Sequence, residues 1–411
     1  MQKPIAIYIH FPFCQKKCLY CDFLSFPACQ KTDIYMDALI TELLTVPAAL
    51  FFNNNYIITS IFIGGGTPSL MQPAQLTRLM DVLSQYPISK AAEITMEANP
   101  GTLTPELLHT MHTSGINRLS IGLQSADDAA LSLLGRIHTY EQFEENYHAA
   151  RAAGFQNINI DLMSALPGQS PEAYENGLFR ILSLHPEHIS AYSLIIEEGT
   201  PFYDYYEENK DIGIKLPPLP SEDDERLMYH RTKAILKAAG YERYEISNYA
   251  KKGFECRHNT AYWTRQDYLG LGLGAASMVG NVRFSNTSDF DTYIRQFSAG
   301  NKGDCAASLP SVQNAGSRPD ECKDFHINKE NLSVNAQMEE FMFLGLRLTC
   351  GVSPETFKQL FKKDIFDIYG SVIDRHIKDG TLIFKADSSC IALSEHGLDV
   401  SNMIMADFIL D

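Results

Sequence analysis

Three cysteines stand within eight residues in Cys14-Gln15-Lys16-Lys17-Cys18-Leu19-Tyr20-Cys21, close enough for one loop to wrap three thiolates around an inorganic centre. Thiolates are soft ligands that favour zinc and iron–sulfur clusters, and a purely structural site of either kind ordinarily takes four protein ligands. The fourth is missing here. No nearby histidine or cysteine completes a zinc pair, and Cys29 sits too loosely to serve. Two readings stay open on these residues alone. One is a structural zinc finished by a distant side chain. The other is a four-iron cluster whose unligated iron coordinates a small molecule and passes it an electron.

The elements around this loop give the cluster a setting. Short apolar segments recur at residues 5–10, 61–64, 92–98, 118–124, 157–163 and 188–195, and stretches with helical spacing lie between them at 34–44, 73–83, 105–111, 140–153 and 171–184. Alternating strands and helices imply parallel strands joined by crossovers, and six such units predict an α/β fold built on a partial (β/α)6 barrel. His10, residues 64–67, Glu97, Gln124 and Asp161 fall at or just beyond the carboxyl ends of successive segments, the face on which barrels assemble their sites. Taken singly, a residue such as Asp161 is more plainly a loop or helix cap. Their joint placement points to one mouth.

After residue 195 the pattern changes to an acidic, tyrosine-rich stretch at 203–209, a proline-rich link at 217–220 and a helix over 222–239. Residues 300–331 lose apolar periodicity and read as a surface insertion or linker. Helical patterns at 336–348, 354–361 and 366–379, a hairpin at 381–385 and 390–393, and a last helix then suggest a winged-helix-like domain. The expected organisation is a core barrel over 1–220, an extension over 221–300, the insertion over 301–331 and the C-terminal domain over 332–411.

Composition limits the function classes. Apolar residues make up 45% and charged residues 20%, the balance of a globular protein. A formal net charge of −16, and 7 Lys plus Arg against 12 Asp plus Glu in residues 331–411, disfavour a nucleic-acid partner even for a winged-helix-like domain. No apolar run reaches the ~18–20 residues that cross a bilayer, and the opening residues read as the first strand of the fold and not as a leader. Nine cysteines, three of them crowded, suit a reduced cytoplasm with metal or catalytic thiols.

The spacing CxxxCxxC, following Tyr8-Ile9-His10-Phe11-Pro12-Phe13, resembles the radical S-adenosylmethionine superfamily, and within it the branch related to oxygen-independent coproporphyrinogen III oxidase. Gly64-Gly65-Gly66-Thr67-Pro68-Ser69, Glu97-Ala98-Asn99-Pro100, Arg118-Leu119-Ser120-Ile121-Gly122-Leu123-Gln124-Ser125 and Asn159-Ile160-Asp161-Leu162-Met163 extend the match over most of the first 200 residues. The resemblance implies a 4Fe-4S cluster on Cys14, Cys18 and Cys21 that reduces bound S-adenosylmethionine to a carbon radical. It also implies that the loop of Gly65, Gly66 and Thr67 meets the methionyl amine, that Glu97 accepts from ribose hydroxyls, and that Gln124 and Asp161 position the nucleoside. Arg136 would pair with the cofactor carboxylate, with Tyr8 and Tyr20 beside the same ligand. Residue chemistry agrees, since glycines admit close backbone approach and a guanidinium suits a carboxylate. The glycine run alone would say little, because it lacks the Gly-Lys-Ser/Thr of a phosphate loop.

The oxidase branch carries a further cysteine two positions after the third. Phe23 stands there in this chain, which removes a nucleophile and metal ligand and argues against coproporphyrinogen oxidase activity. Phe23 instead resembles the HemW family of heme chaperones. So do Tyr244-Glu245-Ile246-Ser247-Asn248-Tyr249-Ala250, His258-Asn259-Thr260-Ala261-Tyr262-Trp263 and Tyr268-Leu269-Gly270-Leu271-Gly272. The HNxxYW motif is that family's proposed heme signature, which implies His258 as an iron ligand and Tyr262 and Trp263 as flat apolar surface for the porphyrin. On the residues alone, a hydrogen-bonded structural histidine is the plainer reading, and Cys256 is either a heme contact or a small buried side chain. The expectation is a cytoplasmic heme carrier that serves an unidentified acceptor protein and meets a membrane only through that acceptor. The alternative is the oxidase itself.

Overall fold

The computed structural model describes residues 2–27, 31–298, 326–386 and 388–410. Six parallel strands lie side by side in chain order: β1 (Lys3–Phe11), β2 (Tyr56–Gly65), β3 (Ile88–Ala98), β4 (Arg118–Gln124), β5 (Ile158–Ser164) and β6 (His188–Ser193). Their near-continuous burial is that of parallel strands covered on both faces. The crossover helices Pro73–Leu83, Pro105–Thr113 and Pro171–Leu182 each begin on a proline, whose fixed φ and missing N–H suit a first helical turn. Thr104, Thr139 and Ser170 cap helix starts by accepting from the amides of Leu107, Gln142 and Ala173.

The first crossover helix, Lys31–Asn54, runs past the expected residue 44 and contains Pro47, because Val46 and Leu50 continue the apolar face buried in the core. A larger difference follows β6. Six further short strands extend the same sheet to twelve. Asn248–Ala250 runs antiparallel to β6, with Glu242–Arg243 outside it. On the other edge Tyr268–Leu271 runs parallel to β1 and is followed by Ala276–Val279, Val282–Asn286 and His326–Asn331. Each is only two to six residues long, too short to announce itself by periodicity. The end of the expected insertion is therefore an edge strand. Residues 299–325, with Cys305 and Cys322, lie outside the described residues, as does Cys29.

The C-terminal region packs helices Val334–Gly345, Pro354–Phe361 and Ile365–Lys378 against an antiparallel pair, Leu382–Phe384 with Ile391–Leu393, around Met342, Phe357, Tyr369, Ile391 and Phe408. The single final helix expected from the sequence is two, Glu395–Asp399 and Ser401–Ala406, parted at Val400, whose φ of −122° leaves the helical region. Buried Glu340 joins this region to the sheet by ion pairs with Arg265 (2.9 Å) and Arg283. Among the described residues no helix is long and apolar enough to cross a membrane.

Candidate functional site

The cysteine loop leaves the carboxyl end of β1 and is pinned at several points. Phe26 N–H donates to Pro12 O (2.7 Å) and Leu19 N–H to Leu134 O (3.0 Å), while Leu19 O accepts from Phe202 N–H (3.0 Å). The glycine loop after β2 lies directly against it. Gly66 N–H donates to Phe11 O and Thr67 N–H to Phe13 O, both at 2.8 Å. A Cβ at Gly66 would stand 2.6 Å from Phe13 O, so glycine is required for this approach. Thr67 Oγ1 reaches Cys14 Sγ at 3.5 Å.

All three thiols line one cavity of about 300 Å³. Burial pushes the Cys21 thiol up to about 11, so binding a metal there displaces a proton. Among the described residues no three His, Cys, Asp or Glu side chains meet as a set for one metal ion. A four-iron cluster takes its thiolates on separate irons, so its ligands need not converge on one point.

The cavity's wall is polar and comes from the strand ends. Glu97 accepts from Gly65 N–H at 3.0 Å, and burial, followed by neighbouring Asp161, pushes its carboxyl up to about 8. Asp161 faces inward from the middle of β5, not from its end, and is no helix cap. It accepts from Asn159 Nδ2 (2.7 Å) and Ser120 Oγ (3.3 Å), and burial raises its pKa. Gln124 ends β4 with φ of +71° and accepts from Tyr192 O–H at 3.1 Å. Arg136 donates to Asn99 Oδ1 (2.8 Å) and Gly122 O and approaches Cys18 Sγ at 3.7 Å, while its Nε is buried without a partner.

The expected residues Tyr20, Gly65, Gly66, Thr67, Glu97, Gln124, Arg136 and Asp161 thus share the cavity with the cysteines. Tyr8 does not line it; its hydroxyl meets His10 Nδ1 at 2.9 Å, and His10 Nε2 donates to Leu24 O at 2.8 Å. Asn99 and Ser120, which stand in the sequence motifs without a role of their own, and Tyr192, which no motif marks, line the cavity as well. Asn99 ties the glycine loop to the arginine, donating to Thr67 Oγ1 at 2.8 Å while accepting from Arg136. These side chains fit an iron–sulfur cluster beside a zwitterionic nucleoside cofactor. Soft thiols face the cluster, carboxylates can accept from hydroxyls, and an orphaned guanidinium N–H is poised for a carboxylate.

The HNxxYW motif is elsewhere, on helix Arg257–Trp263 at the inner side of β2 and β3. His258 is 1% exposed, its Nδ1 at 3.1 Å from Ser60 Oγ and its Nε2 at 3.1 Å from Tyr262 O–H. Burial, then the nearby Arg118 charge, pushes its pKa down to about 3. Tyr262 packs edge-on between His258 and Tyr268, and the Arg347 guanidinium lies 4.3 Å from the Trp263 ring centre. The candidate heme residues His258, Tyr262 and Trp263 thus share this one short helix. Both imidazole nitrogens meet hydroxyls, and Tyr262 and Trp263 are half-buried. Cys256 is fully buried and points at Glu93 (3.5 Å).

Comparison with known proteins agrees with this geometry. The radical SAM superfamily model matches residues 8–178, and the HemN C-terminal domain model matches residues 332–400. The heme chaperone HemW of Lactococcus lactis subsp. lactis is 35% identical, covering 100% of this chain and 99% of its own. Heme chaperone HemW of Bacillus subtilis is 35% identical over 98% and 99%. Radical S-adenosyl methionine domain-containing protein 1, mitochondrial, of Mus musculus is 35% identical over 97% and 86%. The structure of coproporphyrinogen III oxidase (HemN) from Escherichia coli superposes with a TM-score of 0.79 at 23% identity, covering 99% of this chain and 90% of that one, a likeness of fold.

Proposed function

The chain belongs to the HemW family of the radical S-adenosylmethionine superfamily, and on that premise we propose that it is a heme chaperone, which binds heme and passes it to an acceptor protein. It holds a 4Fe-4S cluster on Cys14, Cys18 and Cys21 and S-adenosylmethionine in the adjoining cavity. The reading places it in the cytoplasm, touching a membrane only through the acceptor.

The observation that carries the choice of carrier over oxidase is Phe23. It is 61% exposed on the rim of the cavity that the cysteines share, where the oxidase branch has a fourth thiol. An apolar ring at that rim can neither ligate a metal nor transfer a proton, whereas it offers flat surface to a porphyrin.

When bound, the cluster and its cofactor supply one-electron chemistry at the open iron. The chain's own residues bind and orient. Arg136, prepositioned by Asn99 and Gly122, takes the cofactor carboxylate through its free Nε. Glu97 and Asp161 accept from hydroxyls, Gln124 and Tyr20 border the nucleoside, and the Gly65–Gly66–Thr67 backbone meets the amine.

An anaerobic titration of cluster-loaded protein with hemin, followed at the Soret band, tests the reading. Saturation near roughly one heme per chain is expected. No specific binding, together with sustained conversion of coproporphyrinogen III to protoporphyrinogen IX, would return the chain to the oxidase class.

A further inference from the structure

We propose that His258 is a positioning residue: from the floor of the barrel it sets the cluster of rings that supports the cofactor cavity. The inference rests on the cofactor half of the proposed function and gives the histidine of the HNxxYW motif a role other than contact with heme.

Three contacts fix the imidazole from below and from the side. The Ser60 and Tyr262 hydroxyls hold its two nitrogens at 3.1 Å each. The start of its helix is clamped by Glu93, whose carboxylate accepts from Arg257 N–H (3.1 Å) and His258 N–H (3.2 Å). A ring so held can move little.

What it supports lies above. The His258 ring stacks on Phe62 at 5.1 Å between centroids, with 30° between planes. Phe62 lies 6.3 Å from the Tyr8 ring at 27°, and His258 itself lies 6.4 Å from Tyr8 at 36°, so the three rings form a triangle resting on the imidazole. From there the support divides. One branch runs from Tyr8 O–H to His10 and on to Leu24 O, in the return limb of the cysteine loop. The other runs from Phe62 to Gly64, where an added Cβ would meet Phe62 Cε1 at 2.9 Å and Glu97 Oε2 at 3.0 Å. Phe62 therefore sits immediately beneath the carboxylate that Gly65 N–H holds at the cavity wall. Removing the imidazole leaves a void under Phe62 and orphans two buried hydroxyls, and both effects let the ring sink away from Gly64 and Glu97.

The test uses the full chain, reconstituted anaerobically, as wild type, His258→Ala and His258→Phe at matched iron content. S-adenosylmethionine is titrated against the cluster's electron paramagnetic resonance signal, and hemin against the Soret band. The inference expects His258→Ala to weaken the cofactor titration about tenfold and His258→Phe, which keeps a ring under Phe62, to restore it to within about threefold of wild type. Both variants still saturate with hemin. A cofactor titration unchanged in His258→Ala overturns the inference, as does one in His258→Phe as weak as in alanine. Loss of hemin saturation in both variants with the cofactor titration intact would make His258 an iron ligand instead. If wild type itself takes up no hemin, the carrier reading falls while the cofactor titrations still decide the role of His258.

Discussion

Replacing Glu42 by glutamine should abolish one pH-dependent component of stability. Glu42 lies on helix Lys31–Asn54, is fully buried, and accepts from Tyr293 O–H (2.6 Å), Asn286 Nδ2 (2.6 Å) and Gly272 N–H (2.8 Å), tying that helix to the strands beside β1. Three donors favour the charged carboxylate, but burial outweighs them and raises its pKa from 4.5 to about 7. Because the folded pKa is the higher one, the native state holds the proton more tightly. Its contribution is full below about 4.5 and falls as pH rises toward 7. The rise from 4.5 to about 7, at ~1.4 kcal/mol per pH unit, corresponds to about 3–4 kcal/mol lost across that window. Anaerobic urea unfolding of wild type and Glu42→Gln at intervals from pH 5 to 8 isolates the term, since other titrations cancel in the difference. Wild type should lose stability relative to the variant as pH rises. A flat difference would mean that the three donors offset burial at Glu42, and the opposite slope that they outweigh it; either refutes the raised pKa.

The other expected outcomes concern the site and the joint between the regions. Changing any of Cys14, Cys18 or Cys21 to alanine should leave reconstituted protein nearly iron-free by ferrozine assay, because a cluster held by three thiolates does not survive on two. Arg136→Gln should weaken S-adenosylmethionine binding about 10- to 100-fold in the cluster-signal titration, the loss of one charge-assisted interaction of ~1.5–3 kcal/mol, while iron content stays near wild type. Glu340→Gln leaves Arg265 facing an uncharged partner in a site where the pair's side chains are 8% and 5% exposed; stability should fall by about 2–4 kcal/mol, with limited proteolysis first releasing the C-terminal region.

The six parallel strands were legible because each is a short apolar run closed by glycine, proline or a capping hydroxyl, and because Pro73, Pro105 and Pro171 mark their helix starts. The edge strands were not, since Glu242–Arg243 and Asn248–Ala250 have no period to read: Asn248–Ala250 is made a strand by β6 beside it, and Glu242–Arg243 by Asn248–Ala250 in turn. The same division holds in the site. Cys14, Cys18 and Cys21 announce themselves by spacing and Glu97 by its place at a strand end. The work of Asn99 depends on Thr67 and Arg136, 32 and 37 residues away. Asp161 was placed at a strand end by pattern, yet its inward direction is decided by strand parity within β5. The burial of His258 could be read only in part: Tyr262 four residues on is a visible helical neighbour, but Ser60 and Glu93 come from strands 198 and 165 residues earlier.

The barrel interior explains why these distant partners belong together. A closed barrel ordinarily fills its core with layers of branched apolar side chains, whereas this one carries Ser60, Glu93, Thr95, Arg118, Asn159 and His188 inward, all buried. Buried charge is tolerated only when paired, and Arg118, 2% exposed, lies in the field of Glu93 and Asp161. Glu93 accepts from the amides that open helix Arg257–Trp263, so the helix is joined to the barrel interior by a buried carboxylate and not by apolar packing alone. Asp161 belongs to the cavity wall. The HNxxYW helix and the cofactor cavity are thus two ends of one polar core. If the ring cluster couples them as proposed, a change in the motif reaches the cavity, and a lost heme signal in a motif variant identifies an iron ligand only where cofactor binding is measured and found intact.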